Sequence, residues 1–128
     1  MRLMKLPQRS EPDPHDGVLL EYTHPLTGGP TMPTIGCWVQ MIPPGESTKP
    51  HRHTSSTIYH VVQGEGFTSV GKSKTSPTEL EWRARDCFFV PSWNWHNFEN
   101  KSRKEPAIIF SVTDRPVLES LKLFRHEE

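Results

Sequence analysis

The sequence predicts an all-β domain: a small barrel or sandwich of short strands with one short helix at its C-terminus. Three observations predict it. Thirteen prolines and eight glycines punctuate the chain, which excludes long helices and supplies many turns. Between them lie runs rich in β-branched and aromatic residues, such as Thr57-Ile58-Tyr59-His60-Val61-Val62, a composition that suits half-buried strands. Three histidines, His51, His53 and His96, sit within two glycine- and proline-punctuated segments whose spacing suits a metal cage on that kind of scaffold.

Taken in order, residues 1–17 read as a polar, proline-broken arm, extended or poorly ordered, and residues 18–128 as a single domain. Val18 to Tyr22 is a strand, and His24-Pro25-Leu26-Thr27-Gly28-Gly29-Pro30 forces a turn. A β-rich run from Thr34 to Ile42 stops at Pro43-Pro44-Gly45. Thr57–Val62 and Phe67–Val70 flank Gln63-Gly64-Glu65-Gly66, which predicts a hairpin with glycines at positions of positive φ. Gly71–Pro77 is a polar loop. Further strands are expected at Glu79–Trp82, Cys87–Val90, His96–Glu99 and Ala107–Val112. The tail from Pro116 to Leu123 has proline near a helix start and apolar residues at helical spacing.

The 128 residues suffice for one core. Fifteen basic residues balance fifteen acidic ones, so no net field draws the chain to nucleic acid or anionic lipid. No apolar run reaches the length of a membrane span. The start, MRLMKLPQRSEPDPHD, is not a signal peptide, which makes a cytoplasmic address the expectation. Cys37 and Cys87 match no metal or redox spacing and read as two reduced, partly buried thiols.

His51 and His53 are two apart, so on a strand they point to the same side and can chelate one ion. His96 must be brought to them by the fold. A lone His-x-His is often chance. Gly45, Gly64, Pro91, His96 and Asn100 at matching offsets make a metal site the stronger reading. Imidazole suits iron, copper, nickel and zinc, and Mn is a further possibility. Three neutral imidazoles on an octahedral ion leave three positions open. A chelating substrate fills two, and dioxygen the third. A closed structural zinc site would need a fourth protein ligand.

These two segments resemble the two cupin motifs. Within that superfamily the chain is most similar to the carboxy-terminal cupin half of gentisate 1,2-dioxygenase and its salicylate and 1-hydroxy-2-naphthoate relatives. The residues that carry this include Glu21-Tyr22-Thr23-His24-Pro25-Leu26-Thr27-Gly28-Gly29, Met32-Pro33-Thr34-Ile35 and Pro50-His51-Arg52-His53-Thr54. They continue in Tyr59-His60-Val61-Val62-Gln63-Gly64-Glu65-Gly66 and Phe110-Ser111-Val112-Thr113-Asp114. The resemblance implies a single cupin (double-stranded β-helix, jelly-roll-like) barrel. It also implies an Fe(II) ion held by His51, His53 and His96, and ring cleavage of a hydroxylated aromatic acid with dioxygen. The usual first-motif glutamate is Thr57 here, as fits a family that binds iron through three histidines. The second motif's two glycines are Arg85 and Trp93, changes that touch turns and not ligands. The family's chains usually hold two cupins, with catalysis chiefly in the amino-terminal one. That supports a second function class, a non-catalytic metal- or small-molecule-binding cupin or an accessory subunit to another cupin. A third is a cupin enzyme of different chemistry, such as an isomerase or another metal-dependent oxygenase.

Other residues carry weaker expectations. His60, if it lined the cavity, could act as an acid or base near neutral pH, although sheet-packing histidines are commoner. Arg52, Arg83, Arg85 and Arg103 could each grip a substrate carboxylate, and Arg52 alternates away from the ligands toward solvent. Trp38, Trp82, Trp93 and Trp95 could stack an aromatic ring but more often fill a core or interface. Trp95 should point away from the His96 side and Phe98 toward it. His15, His24 and His126 lie outside the motifs and receive no chemistry. Edge strands and the aromatic load predict a homodimer.

Overall fold

A computed structural model describes residues 18–128. The arm expected over residues 1–17 lies outside the described residues. The strands are β1 (Val18–Tyr22), β2 (Gly36–Ile42), β3 (Arg52–His53), β4 (Thr57–Gln63), β5 (Glu65–Gly71) and β6 (Thr78–Arg83). They continue as β7 (Cys87–Val90), β8 (Trp95–His96), β9 (Glu99–Asn100) and β10 (Ala107–Thr113), followed by helix α1 (Arg115–Ser120) and strand β11 (His126–Glu127). One sheet has the order β1-β2-β10-β4-β7. A second has the order β6-β5-β8 with β9 also on β5, and β11 pairs with β3. All these pairings are antiparallel. The jelly-roll arrangement is therefore present as facing sheets, without one unbroken ladder closing a barrel.

Alternation along the strands decides what faces inward. In β10, Ala107, Ile109, Ser111 and Thr113 are buried while Ile108, Phe110 and Val112 are only half-buried. In β4, Thr57, Tyr59 and Val61 are buried, and Ile58 and Val62 are exposed. The inner face changes character along its length. At one end Ile42, Val61, Ala107 and Ile109 pack with Trp82, Val90 and Phe98 from the opposite sheet and adjoining strands into a dry core. At the other end the same strands present Gln40, Thr57, Ser111 and Thr113, and these line a cavity. Polar inward positions thus mark the cavity end of the described fold.

Three expectations need correction. Thr57–Val62 and Phe67–Val70 do not form a hairpin: β4 pairs with β10 and β7, whereas β5 pairs with β6, β8 and β9. Gly64, at φ +101°, carries the chain from one sheet to the other, and a Cβ there would meet Ala107 Cα at 2.9 Å. Gly66 does not need positive φ. It is required because a Cβ would lie 1.9 Å from the Glu99 carbonyl oxygen and 2.7 Å from the Trp82 ring. The strand expected at His96–Glu99 splits into β8 and β9, since the Phe98 amide donates to Thr48 Oγ1 (2.9 Å) and the Ser69 amide to Asn97 Oδ1 (3.1 Å). The C-terminal helix runs over Arg115–Ser120 and not to Leu123. Lys122 turns left-handed at φ +59°, and the Leu123 amide closes on the Leu118 carbonyl at 2.7 Å.

The expectation about turns holds in detail. Arg85 and Trp93 adopt φ of +78° and +61°, so both stand where a left-handed backbone favours glycine. Asn100, the last residue of the second segment, is buried and structural. Its Nδ2 donates to the carbonyls of Ile42 (3.0 Å) and Glu105 (2.9 Å). Both cysteines are free, with Cys37 half-buried and Cys87 exposed.

Candidate metal centre

His51 and His96 face each other across an antiparallel bridge. The His51 amide donates to the His96 carbonyl (3.1 Å) and the His96 amide to the His51 carbonyl (2.9 Å). This pairing places both rings on the inner side, where they are 2 % and 1 % exposed. His53 follows two residues later on the same side, and its carbonyl is held by the Trp93 amide at 2.8 Å. One nitrogen from each of the three rings lies within 4.8 Å of the others. His51 Nε2 and His96 Nε2 are 3.0 Å apart. Two ligands about 2.1 Å from one ion and at right angles about it stand roughly 3.0 Å apart, so the spacing fits a shared metal.

The outer nitrogens of two of the rings are also occupied, as suits a metal site. His96 Nδ1 lies 3.0 Å from the Asn94 carbonyl, and His53 Nδ1 lies 3.0 Å from the Ser55 carbonyl and 2.8 Å from Ser55 Oγ. Donation from Nδ1 to a carbonyl leaves the Nε2 lone pair directed inward. Burial lowers the His96 pKa to about 3, reinforced by the neighbouring His53 and His126 charges and opposed by the Asn94 carbonyl. Burial likewise lowers that of His53, against the Ser55 hydrogen bond and with the help of His126 and Arg115. Both imidazoles are therefore neutral near pH 7, the form that ligates metal. The donor set fits a divalent ion.

The structure sorts the remaining candidates. Tyr59, not its neighbour, faces inward, 6.4 Å from the His96 ring. His60 lies on the outer face, with Nδ1 3.2 Å from Cys87 Sγ, and does not line the cavity. Phe98 is buried beside His96, with ring centroids 5.9 Å apart. Arg52 is not solvated as expected. Its guanidinium lies over Trp93 (4.1 Å) and Trp95 (4.7 Å) and pairs with Glu127. Arg83, Arg85 and Arg103 are exposed and do not line the cavity. Trp38 borders the cavity, while Trp82 is core, donating from Nε1 to Thr68 Oγ1 at 2.9 Å.

Sequence reasoning missed three residues supplied by the C-terminal segment: Arg115, Phe124 and His126 all line the cavity, whose volume is about 320 Å³. His126 pairs with His53 in the β11–β3 ladder, and its ring centroid is 5.3 Å from that of His51. The cue was two residues of strand after a six-residue helix, too short to register as a period.

The family model for the cupin domain matches residues 38–113. The chain belongs to the cupin family. Over 114 residues this cupin is 43 % identical to 5-aminosalicylate 1,2-dioxygenase of a Comamonas species, covering 89 % of the chain and 29 % of that protein. It is 38 % identical to gentisate 1,2-dioxygenase of a Haloferax species, covering 98 % and 34 %. Among solved structures it is similar to salicylate 1,2-dioxygenase from Pseudoaminobacter salicylatoxidans with gentisate. The TM-score is 0.78 at 25 % identity, covering 94 % of this chain and 30 % of that one. The cupin spans about a third of the length of these relatives.

Proposed function

We propose that this cupin is a non-haem Fe(II)-dependent dioxygenase that opens the ring of a hydroxylated aromatic acid such as gentisate. The observation that carries the reading is the convergence of His51, His53 and His96, two of them buried and one half-buried, beside a cavity. The named activities of the relatives support the reaction class. A bound Fe(II) would supply open coordination positions and electron transfer between the aromatic acid and dioxygen, both atoms of which enter the opened product.

The chain's own residues do the rest. His51, His53 and His96 would hold the ion, with the Asn94 and Ser55 carbonyls orienting two of the rings. Tyr59 and Phe98 wall the triad on the core side and keep water from that flank. Trp38 and Phe124 give the cavity aromatic surface against which a substrate ring can lie. Zinc, nickel, manganese or copper would fit the same imidazoles, so metal analysis of protein purified without chelators accompanies the assay. Oxygen uptake when gentisate or salicylate is added to the Fe(II)-loaded protein tests the reading.

A second reading is a metal- or small-molecule-binding cupin without ring cleavage, acting alone or as an accessory subunit. The named activities belong to proteins of which this chain covers about a third. Metal bound without oxygen uptake across a panel of hydroxybenzoates would decide for it. A homodimer belongs to the proposal as well. Ile58 of β4 and Phe89 of edge strand β7, cross-strand neighbours on the outer face, are 53 % and 52 % exposed. A light-scattering mass of one chain would contradict it. No helix among the described residues is long and apolar enough to cross a membrane. The cytoplasmic address remains a proposal for cell fractionation.

A further inference from the structure

Among the described residues, the cavity beside the triad is bordered by one permanently charged side chain, Arg115, and by no carboxylate. The guanidinium lies over the Phe124 ring at 4.3 Å and near the Trp38 ring at 5.5 Å. Phe124 in turn stacks on His53, ring centroids 6.3 Å apart, so the cation and the triad border the same space. Arg115 is anchored from its backbone, whose amide donates to Thr113 Oγ1 at 3.2 Å. Its Nε is buried and makes no hydrogen bond among the described residues. Glu119 approaches it only at 3.5 Å, as an i,i+4 pair with both side chains substantially exposed. Such a pair is weak, and a ligand carboxylate can displace it. None of the four arginines singled out in the sequence occupies this place.

We propose that Arg115 is the anion-selecting residue of the cavity, receiving the carboxylate of an aromatic acid whose ring lies against Trp38 and Phe124. The inference rests on the reading of the site as one for a hydroxylated aromatic acid, and it names the group that recognises the acid. A guanidinium is charged at every relevant pH, and its planar fork matches a carboxylate. The two flanking rings hold that fork in place and offer a stacking surface to an aromatic ligand.

The test is calorimetric titration of 2-hydroxybenzoate and of its neutral amide, 2-hydroxybenzamide, into metal-free wild type, R115K and R115Q, with circular dichroism confirming the fold of each. R115Q is expected to weaken 2-hydroxybenzoate binding about tenfold to a hundredfold and to leave the amide within about twofold, with R115K between. Unchanged 2-hydroxybenzoate affinity in R115Q, equal losses for acid and amide, or no binding of the acid to wild type would each overturn the assignment. Oxygen uptake by the Fe(II)-loaded wild type separates this from the reading it rests on. Arg115-dependent binding without uptake removes ring cleavage and keeps the subsite, while uptake with Arg115-independent binding does the reverse.

Discussion

Arg52 Nη2 lies 3.1 Å from both carboxylate oxygens of Glu127, and this contact fastens the C-terminal strand beside the triad. Trp93 and Trp95 hold the same guanidinium from its faces. Thr54 adds a second tie, its amide donating to the Arg125 carbonyl (3.0 Å) and its Oγ1 to the Leu123 carbonyl (3.1 Å). His126 reaches the cavity because this segment is pinned at both places. E127Q should cost global stability less than about 1 kcal/mol, as expected for a partly exposed pair. It should, however, raise amide exchange across residues 123–127. Hydrogen-exchange mass spectrometry checks this, and unaltered protection there would show that Thr54 alone suffices.

Each of H51Q, H53Q and H96Q should lower metal affinity by more than the roughly tenfold to hundredfold lost when only an outer-shell partner is removed. H60Q should leave metal content unchanged, because His60 faces outward onto Cys87. Metal analysis after dialysis against a weak chelator measures all four. Equal metal content in H96Q and wild type would place the ion elsewhere.

Stability of the metal-free protein should fall on acidification. His96 has its pKa lowered to about 3 in the folded state, whereas the unfolded chain takes up a proton near the ordinary histidine value of about 6.5. Between those limits the unfolded state binds more protons. The stabilisation is complete above about pH 6.5 and is lost as pH falls toward 3. The slope from this one group approaches about 1.4 kcal/mol per pH unit, and His53, lowered in the same direction, steepens it. Urea unfolding at pH 7, 6, 5 and 4 reads the slope, and H96Q should flatten it.

Gly66 admits no side chain, because the first obstacle its Cβ meets is the Glu99 carbonyl oxygen, a backbone atom. G66A should destabilise by about 3 kcal/mol or more. A thermal midpoint within two degrees of wild type would mean that the β5–β9 contact yields easily.

Arg85 and Trp93 hold left-handed backbone without being glycine. That conformation costs a non-glycine residue roughly 1–2 kcal/mol, partly offset in a glycine variant by greater unfolded-state freedom. R85G should therefore stabilise by about 0.5–1 kcal/mol. W93G should not gain equally, since it also removes a ring that stacks on Arg52. Denaturant midpoints of the two variants check the contrast.

Most of the strands and the three convergent histidines could be read from the chain alone, because both are written locally. Alternation in Ala107–Thr113 declares an inner face without reference to any neighbour. The two-residue step from His51 to His53 puts both rings on one side of any strand. Glycine-like turns were legible even where arginine and tryptophan stand in them. Which strands pair, and what completes the cavity, depend on contacts between distant parts of the chain. Nothing local distinguishes a tight hairpin at Gly64 from a crossing between sheets. That choice depends on Ala107 pressing against the turn and on β10 competing for the edge of β4. Arg115, Phe124 and His126 enter the site only because residues 115–127 fold back onto β3, through contacts between residues distant in the chain whose strength no short window of sequence contains.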